Sequence, residues 1–392
     1  MTKIEQYIYD WIKKNLGLLC VIAVTAIRLW ICFYLRRFES GDFHQDLQPW
    51  FEEIKANGGW QAMKQQVGNY NILYQMIIAG MTYLPFKALY RYKGLSIFFD
   101  FLLAGACGLL VCRLRDSEAQ MLFAGVYAAV LLLPVTYLNS AAWAQCDSIY
   151  IAFVIMALCF LFEKKYVPSF LLLGVALAFK MQMIFILPFF LFYYFLEKKY
   201  SILNFILILA GWYGLSIPGI LMRGNWLEPY QLYFQQTDTH RLMWLNFPSF
   251  WILVGDNYEM LKKPAILITV SVLGMALAYA MYEGKRLEQP LAFLQMAAWT
   301  AWTCILFLPA MHERYSYMVD ILLILLIFVN SRYWIITAVE VISSLLRYQT
   351  YLFDGAEVSI IHAVIYLGAW LWFTWLVFFR TSSEAELQMQ GN

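Results

Sequence analysis

Three carboxylic acids and a histidine lie in a short polar segment directly after the first hydrophobic stretch of the chain. They are Glu39, Asp42, His44 and Asp46, and an aromatic, amphipathic stretch begins at Pro49. A carboxylate within hydrogen-bond reach of a substrate hydroxyl can act as a general base. The pattern therefore favours proton abstraction from a lipid-borne substrate at a membrane surface, with Asp42 as the base.

Two of the acids have an alternative interpretation as helix caps. Asp46 precedes a helix that we expect to start near Pro49, so it could cap this helix or bind substrate. Asp147 opens an apolar stretch, where the helix dipole favours a negative charge. Capping alone does not require the adjoining Trp143 and Gln145. We therefore predict that Asp147 is a second catalytic acid and that Gln145 binds substrate.

Two further positions carry cations that could bind a phosphate group. Lys180 lies between two short apolar stretches, although its amine could instead extend to the membrane surface. The motif His312–Tyr315 concentrates charge in a charge-poor chain, and its arginine suits a phosphate group. No spacing typical of metal ligands accompanies it, so we expect no metal. The predicted phosphate-binding residues are Lys180, His312 and Arg314, and the nearby substrate-binding residues are Gln182, Glu313 and Tyr315.

The composition is that of a membrane protein. Hydrophobic residues make up 62% of the 392 residues and charged residues only 14%, against about 25% charged residues in soluble proteins. The formal net charge is +2, which gives no reason to expect nucleic-acid binding. We therefore expect an all-α polytopic membrane protein with a single membrane domain over 1–392.

About twelve transmembrane helices, with a range of 11 to 13, are predicted from the apolar segments, because a span needs about 20 apolar residues. The segments lie near 17–36, 95–113, 121–138, 146–162, 167–179, 183–196, 202–221, 264–282, 290–309, 317–330, 332–349 and 358–379. The stretch 72–88 is also apolar, and whether it crosses the membrane decides the topology. We interpret it as re-entrant or interfacial.

The positions of lysine and arginine orient the chain, because short basic loops stay in the cytoplasm. If 72–88 does not cross, nearly every short basic loop is cytoplasmic, as are both termini. The residues 37–94 then form a large first outer loop with interfacial helices, and 222–263 form a second outer loop. The segment 380–392 becomes a cytoplasmic tail. The candidate site residues all fall on the outer side.

Five stretches, in this order, resemble the GT-C glycosyltransferases that use polyprenyl-phosphate sugars. The resemblance is closest to bacterial relatives of the second mannosyltransferase of GPI-anchor synthesis, and it extends from residue 40 to residue 320. The stretches are SGDFHQDLQPWFEEIKANGG (40–59), GNYNILYQMIIAGMTYLP (68–85), NSAAWAQCDSIY (139–150), GVALAFKMQMIFILP (174–188) and LPAMHERYSYMVD (308–320). Ala144 stands where relatives more often have glycine.

The resemblance implies a GT-C fold and an inverting transfer of a hexose, of the mannose or glucose type, at the outer membrane face. It makes Asp42 the catalytic base and Asp147 the second acid. The first outer loop contributes three further predicted substrate-binding residues, namely Asn69, Tyr70 and Tyr74.

The implied partners are a polyprenyl-phosphate sugar donor, a glycan or lipid-linked glycan acceptor, and membrane lipids, with no cofactor. The predicted location is the bacterial cytoplasmic membrane, with the endoplasmic reticulum less favoured. A lipid-linked-sugar flippase and a non-catalytic subunit of a glycan assembly complex are the alternatives. A transporter would carry polar residues along the depth of a path and internal repeats, whereas the ionisable groups of this chain gather at one face.

Overall fold

A computed structural model describes residues 1–237 and 239–379, so the predicted tail 380–392 lies outside the described residues. The chain forms two compact units. The first comprises Met1–Ile184 and Tyr200–His240, and the second comprises Phe185–Lys199 and Arg241–Asn392.

Seventeen α-helices and one pair of short strands form the described part of the chain. The helices are α1 (Lys3–Lys14), α2 (Leu16–Leu35), α3 (Gln48–Ala56), α4 (Ile72–Met81), α5 (Ala88–Leu114), α6 (Gln120–Leu132), α7 (Pro134–Tyr137), α8 (Asp147–Phe162), α9 (Tyr166–Phe179), α10 (Leu187–Glu197), α11 (Ile206–Arg223), α12 (Glu228–Thr237), α13 (Tyr258–Tyr282), α14 (Pro290–Phe307), α15 (Tyr317–Val329), α16 (Trp334–Phe353) and α17 (Ile360–Phe378). The strands β1 (Trp244–Leu245) and β2 (Met311–His312) pair in parallel.

Short 3₁₀ and π segments connect several of these helices. The π-helical turns are Phe43–Leu47 and Leu138–Ala142, and the 3₁₀ segments are Gly59–Lys64, Met181–Ile186, Ile202–Phe205, Phe250–Leu253 and Ser331–Tyr333. The first π turn directly follows Asp42 and contains Asp46, and the second ends three residues before Gln145. Irregular turns of this kind are common near functional sites.

Six described helices are long and apolar enough to cross a membrane, and a seventh crossing is possible if α6 and its bent continuation form one span. The bend between them is 54°. Each of the twelve predicted segments contains a helix, but several are short. Helix α9 has 14 residues, or roughly 21 Å, against a hydrocarbon thickness of roughly 30 Å. The all-α membrane fold is thus confirmed, and the number of twelve crossings stays a prediction.

Close helix packing in the first unit depends on two glycines. A Cβ atom at Gly174 of α9 would lie 2.3 Å from the carbonyl oxygen of Ile208, and one at Gly211 of α11 would lie 2.4 Å from that of Leu171. Small residues at such a crossing let the two backbones approach each other. Helix α8 packs against both α5 and α9, so the residues at its start lie in the interior of this unit.

The segment 37–94, predicted to be the first outer loop, contains the short helices α3 and α4. Asn57 ends α3, and Gly58 and Gly59 follow with positive φ values of 81° and 64°. The interpretation of Asp46 as a cap is wrong, because α3 starts after Leu47 without a side-chain capping bond. Asp46 lies inside the π turn instead. Helix α4 covers only 10 residues of the stretch 72–88, or roughly 15 Å.

Helix α5 starts seven residues earlier than predicted, because buried cations near its start bind backbone carbonyls. The Lys93 amine donates to the carbonyls of Leu35, at 2.9 Å, and Phe38, at 2.6 Å. The Arg91 guanidinium donates to Met81 at 2.6 Å and also to Leu84. Cations are favourable at helix C-termini, so these bonds join the ends of α2 and α4 to α5.

Asp100 lies near the middle of α5. Its carboxylate is fully buried and pairs with Arg28 of α2. The Ser140 hydroxyl donates to Asp100, and Arg28 donates to Ser140 at 2.8 Å. A buried pair of this kind holds its partners in register, because removing either charge leaves the other uncompensated.

The second unit has an aromatic core. Trp299 of α14 stacks on Trp370 of α17 with ring centroids 6.1 Å apart, and Trp302 contacts Phe373 at 5.8 Å. The Trp370 indole also donates to the Thr303 hydroxyl at 3.1 Å. These large side chains join α14 to α17 and fix the end of α14 from which the His312 segment continues.

Candidate functional site

The Asp42 carboxylate is half-buried and accepts two side-chain hydrogen bonds on one oxygen. The Trp143 indole nitrogen lies 2.9 Å from Oδ2, and the Gln145 amide nitrogen lies 2.6 Å from the same atom. The Ser40 hydroxyl donates to the Trp143 carbonyl at 3.1 Å and accepts from the Phe43 amide at 3.3 Å. These hydrogen bonds join the segment 40–43, which carries Asp42, to the segment 143–145.

Ala144 lies between the two donors in a left-handed backbone conformation, with a φ of 63°. This conformation costs a non-glycine residue roughly 1–2 kcal/mol. The backbone reversal is held by hydrogen bonds from Gln145 to the Asn139 carbonyl at 3.0 Å and from Ala144 to the Ser140 carbonyl at 3.1 Å. The result is that residues 143 and 145 direct their side chains to the same carboxylate oxygen.

Asp147 and Lys180, which the sequence assigned to separate roles, form a buried ion pair. The Lys180 amine donates to Oδ1 of Asp147, and the Asn139 amide donates to Oδ2 at 3.0 Å. Only 1% of the Asp147 side chain and 7% of the Lys180 side chain are exposed. Asp147 is the first residue of α8, and Cys146 at the cap position makes no side-chain capping bond. The pair thus fixes the start of α8 against the end of α9.

The predicted substrate-binding residues of the first unit differ in their surroundings. The Tyr70 hydroxyl donates to the Gln145 amide oxygen at 3.3 Å, and its ring lies 4.6 Å from that of Tyr74. Asn69 is exposed, while Tyr74 and Gln182 are buried. The Gln182 amide oxygen has no hydrogen-bond partner among the described residues. Tyr70 therefore extends the Asp42 cluster through Gln145.

The motif His312–Tyr315 belongs to the second unit and starts in β2. Ala310, with a φ of 58°, donates its amide to the Met243 carbonyl at 3.0 Å. The register then pairs Leu245 with His312. The Arg347 guanidinium donates from Nε to the Glu313 carbonyl at 3.0 Å. Strand pairing and this buried arginine therefore position the motif from its two sides.

Glu313 is a counter-ion for the cations beside it. Its Oε1 lies 3.0 Å from the Arg314 guanidinium, and its Oε2 lies 3.8 Å from His312 Nδ1. Burial alone would raise the pKa of Glu313, but the hydrogen bond from His312 and the charges of Arg314 and His312 outweigh it and hold the pKa below its usual value. The Tyr315 ring lies 5.0 Å from the His312 ring.

Four residues with structural importance were absent from the predicted site. Trp143, Asn139, Ser40 and Arg347 each donate a hydrogen bond within one of the two clusters. A tryptophan next to predicted site residues was a usable signal for Trp143. Arg347 is 34 residues from its partner Glu313, and nothing in the local sequence connects them.

Within residues 1–237 and 239–379, no three histidine, cysteine, aspartate or glutamate side chains come together as metal ligands would. No protein-family model matches this chain, and no curated protein matches it significantly. The resemblance of the five stretches to the GT-C glycosyltransferases therefore stays a prediction.

Proposed function

We propose that this protein is an inverting glycosyltransferase of the GT-C type. It would move a hexose, of the mannose or glucose type, from a polyprenyl-phosphate sugar to a glycan or lipid-linked glycan at the outer membrane face. The observation that carries the proposal is the Asp42 carboxylate, half-buried and oriented by hydrogen bonds from Trp143 and Gln145. Hydrogen bonds from these donors fix the orientation of the carboxylate, and a general base must lie within reach of the proton that it takes.

In the proposed reaction, Asp42 takes the proton of an acceptor hydroxyl. The hydroxyl oxygen attacks the anomeric carbon and forms the new glycosidic bond from the face opposite the phosphate. The bond between the anomeric carbon and the phosphate oxygen breaks, and the polyprenyl phosphate leaves with the electron pair. The configuration at the anomeric carbon is inverted because attack and departure occur on opposite faces.

The cations proposed for phosphate binding support a second part of this proposal. Lys180 already pairs with Asp147, so a phosphate near Lys180 would share its amine with that carboxylate. In the second unit, Arg314 and His312 are the cations proposed for phosphate binding. Electrostatic stabilisation of a leaving group by fixed cations is often the largest catalytic contribution.

The test is an activity assay of the purified full-length protein with a panel of polyprenyl-phosphate sugars and lipid-linked acceptors. We expect transfer by the wild type and a fall in kcat of about 100- to 10,000-fold in Asp42→Asn, the range that general-base catalysis supplies. Glu53→Gln, an exposed residue of the same predicted outer loop, is the matched control and should keep full activity.

Two outcomes would overturn the proposal. Transfer that is unchanged in Asp42→Asn would remove the assigned base. Movement of a lipid-linked sugar across vesicles without any transfer would support the flippase alternative instead.

A further inference from the structure

The first outer loop contains a cavity of about 1220 Å³ that the proposed reaction does not use. It is lined by the π turn after Asp42, by one face of α3, and by the segment that joins α4 to α5. Phe43 and His44 of the π turn lie in the lining. The cavity therefore lies beside the segment that carries the proposed base.

The lining of this cavity is rich in cations. Arg37, Lys55, Lys87 and Arg91 contribute positive charge, while Glu39 and Glu52 contribute the carboxylates. The Glu39 carboxylate already has a partner, since its Oε2 lies 2.9 Å from His44 Nε2. Arg37, Lys55 and Lys87 are exposed and form no ion pair within the described residues. Their charge is available to an anion that enters the cavity.

Arg91 differs from these three because it is 9% exposed and has only uncharged partners. Its guanidinium donates to the carbonyls of Met81 and Leu84 and lies 4.7 Å from the centre of the Phe51 ring. Its Nε has no hydrogen-bond partner, and no carboxylate pairs with it in the described part of the chain. A buried cation without a counter-ion adds strongly to the positive potential of a cavity.

The rim of the cavity is apolar and exposed. Leu84 is 48% exposed and Phe86 is 61% exposed, and both line the cavity next to Lys87. Exposed aliphatic and aromatic side chains beside cations are typical of a surface that meets a membrane. A ligand that fits both features has an anionic headgroup and an apolar chain.

We propose that this cavity binds a lipid-borne phosphate, with the phosphate between the cations and the lipid chain along Leu84 and Phe86. The site does not depend on the proposed glycosyl transfer. The lipid could be a polyprenyl phosphate or a phospholipid, since both present a phosphate on an apolar chain. Arginine and lysine both bind phosphate oxygens through charge-assisted hydrogen bonds.

The test measures binding to the purified full-length protein in neutral detergent. The probes are undecaprenyl phosphate, phosphatidylglycerol, the uncharged alcohol undecaprenol and inorganic phosphate. We expect at least one of the two lipid phosphates to bind, with a Kd at least tenfold lower than that of undecaprenol. The double variant Lys55→Gln/Lys87→Gln should weaken this binding at least tenfold. Both lysines are exposed, so the variant should fold.

Lys64→Gln is the matched control, since Lys64 is an exposed lysine of the same loop that does not line the cavity. Its Kd should equal that of the wild type. Preference for undecaprenyl phosphate would identify a substrate-type lipid, and equal binding of phosphatidylglycerol would identify a phospholipid headgroup. Equal binding of undecaprenol, binding of inorganic phosphate alone, or no effect of the double variant would each overturn the proposal.

Discussion

The Asp42 cluster and the His312–Tyr315 motif each hold a carboxylate near a left-handed alanine, but the surroundings of the two carboxylates differ. Asp42 is half-buried, and its hydrogen bonds from Trp143 and Gln145 come from neutral groups. Glu313 is 4% exposed and lies beside the side chains of His312 and Arg314. The interactions of Glu313 with these neighbours lower its pKa, which makes Glu313 a poor proton acceptor.

The surroundings of Asp147 resemble those of Glu313 more closely than those of Asp42. It is buried, and the Lys180 amine neutralises it. An acid that is buried in an ion pair contributes to the position of its partners, and removal of one partner leaves a costly isolated charge. The comparison thus separates Asp42 from Asp147, which the sequence grouped with it as a catalytic acid, and from Glu313, which the sequence predicted to bind substrate.

The largest expected effect concerns the pair of Asp147 and Lys180. Lys180→Met should lower the free energy of unfolding by about 3–5 kcal/mol, because it removes the buried amine that pairs with the buried Asp147 carboxylate. The double variant Lys180→Met/Asp147→Asn should recover much of this loss. Chemical unfolding of the purified protein in detergent measures both values.

Lys64→Met, at an exposed position, is the control and should change stability by less than about 0.5 kcal/mol. A double variant no more stable than Lys180→Met would show that Lys180 acts through packing and not by neutralising Asp147.

The second prediction tests the counter-ion role of Glu313. Glu313→Gln should cost about 1.5–3 kcal/mol at pH 7, the usual contribution of hydrogen bonds to charged groups. Because folding lowers the pKa of Glu313, its stabilisation is present above the unfolded pKa and is lost as the pH falls through the folded pKa. Unfolding measured between pH 3 and 7 should therefore show a shallower acid decline in Glu313→Gln than in the wild type.

Glu52→Gln removes an exposed glutamate and should leave the acid decline unchanged. A Glu313→Gln protein with the wild-type pH dependence would contradict the role of Glu313 as counter-ion.

The sequence was sufficient for the helices but not for the contacts between them. Twelve apolar segments each contain a helix, since apolar length is a local property. The start of α5 was predicted too late, because the charged residues Arg91 and Lys93 are typical of a loop. In the structure, both side chains donate hydrogen bonds to backbone carbonyls of other segments. The pairing of Lys180 with Asp147 spans 33 residues and depends on the packing of α8 against α9. Local sequence identified the residue types of the site but not their partners.

The third prediction concerns the donors to Asp42. Trp143→Phe keeps a buried aromatic ring but removes the indole hydrogen bond to Oδ2. We expect kcat of the proposed transfer to fall about tenfold with little change in KM, since one hydrogen bond to a charged group is worth roughly 1.5–3 kcal/mol and Gln145 retains the other. Steady-state kinetics with the active donor measures the two constants.

Trp302→Phe is the matched control. Trp302 is also fully buried, but its indole nitrogen has no hydrogen-bond partner among the described residues. An equal fall of kcat in both variants would attribute the effect to packing and would remove Trp143 from the positioning of Asp42.

The smallest effect concerns the strained alanine that brings Trp143 and Gln145 to one carboxylate. Ala144 and Ala142 are both 1% exposed, but only Ala144 has a positive φ. At either position, replacement by glycine removes a buried methyl group and raises the conformational entropy of the unfolded chain. These two costs therefore cancel when the two variants are compared. Ala144→Gly should therefore be less destabilising than Ala142→Gly by at least about 1 kcal/mol, the cost of the left-handed conformation. Equal destabilisation in chemical unfolding would show that the turn at residue 144 carries no strain, and its geometry would then need another cause.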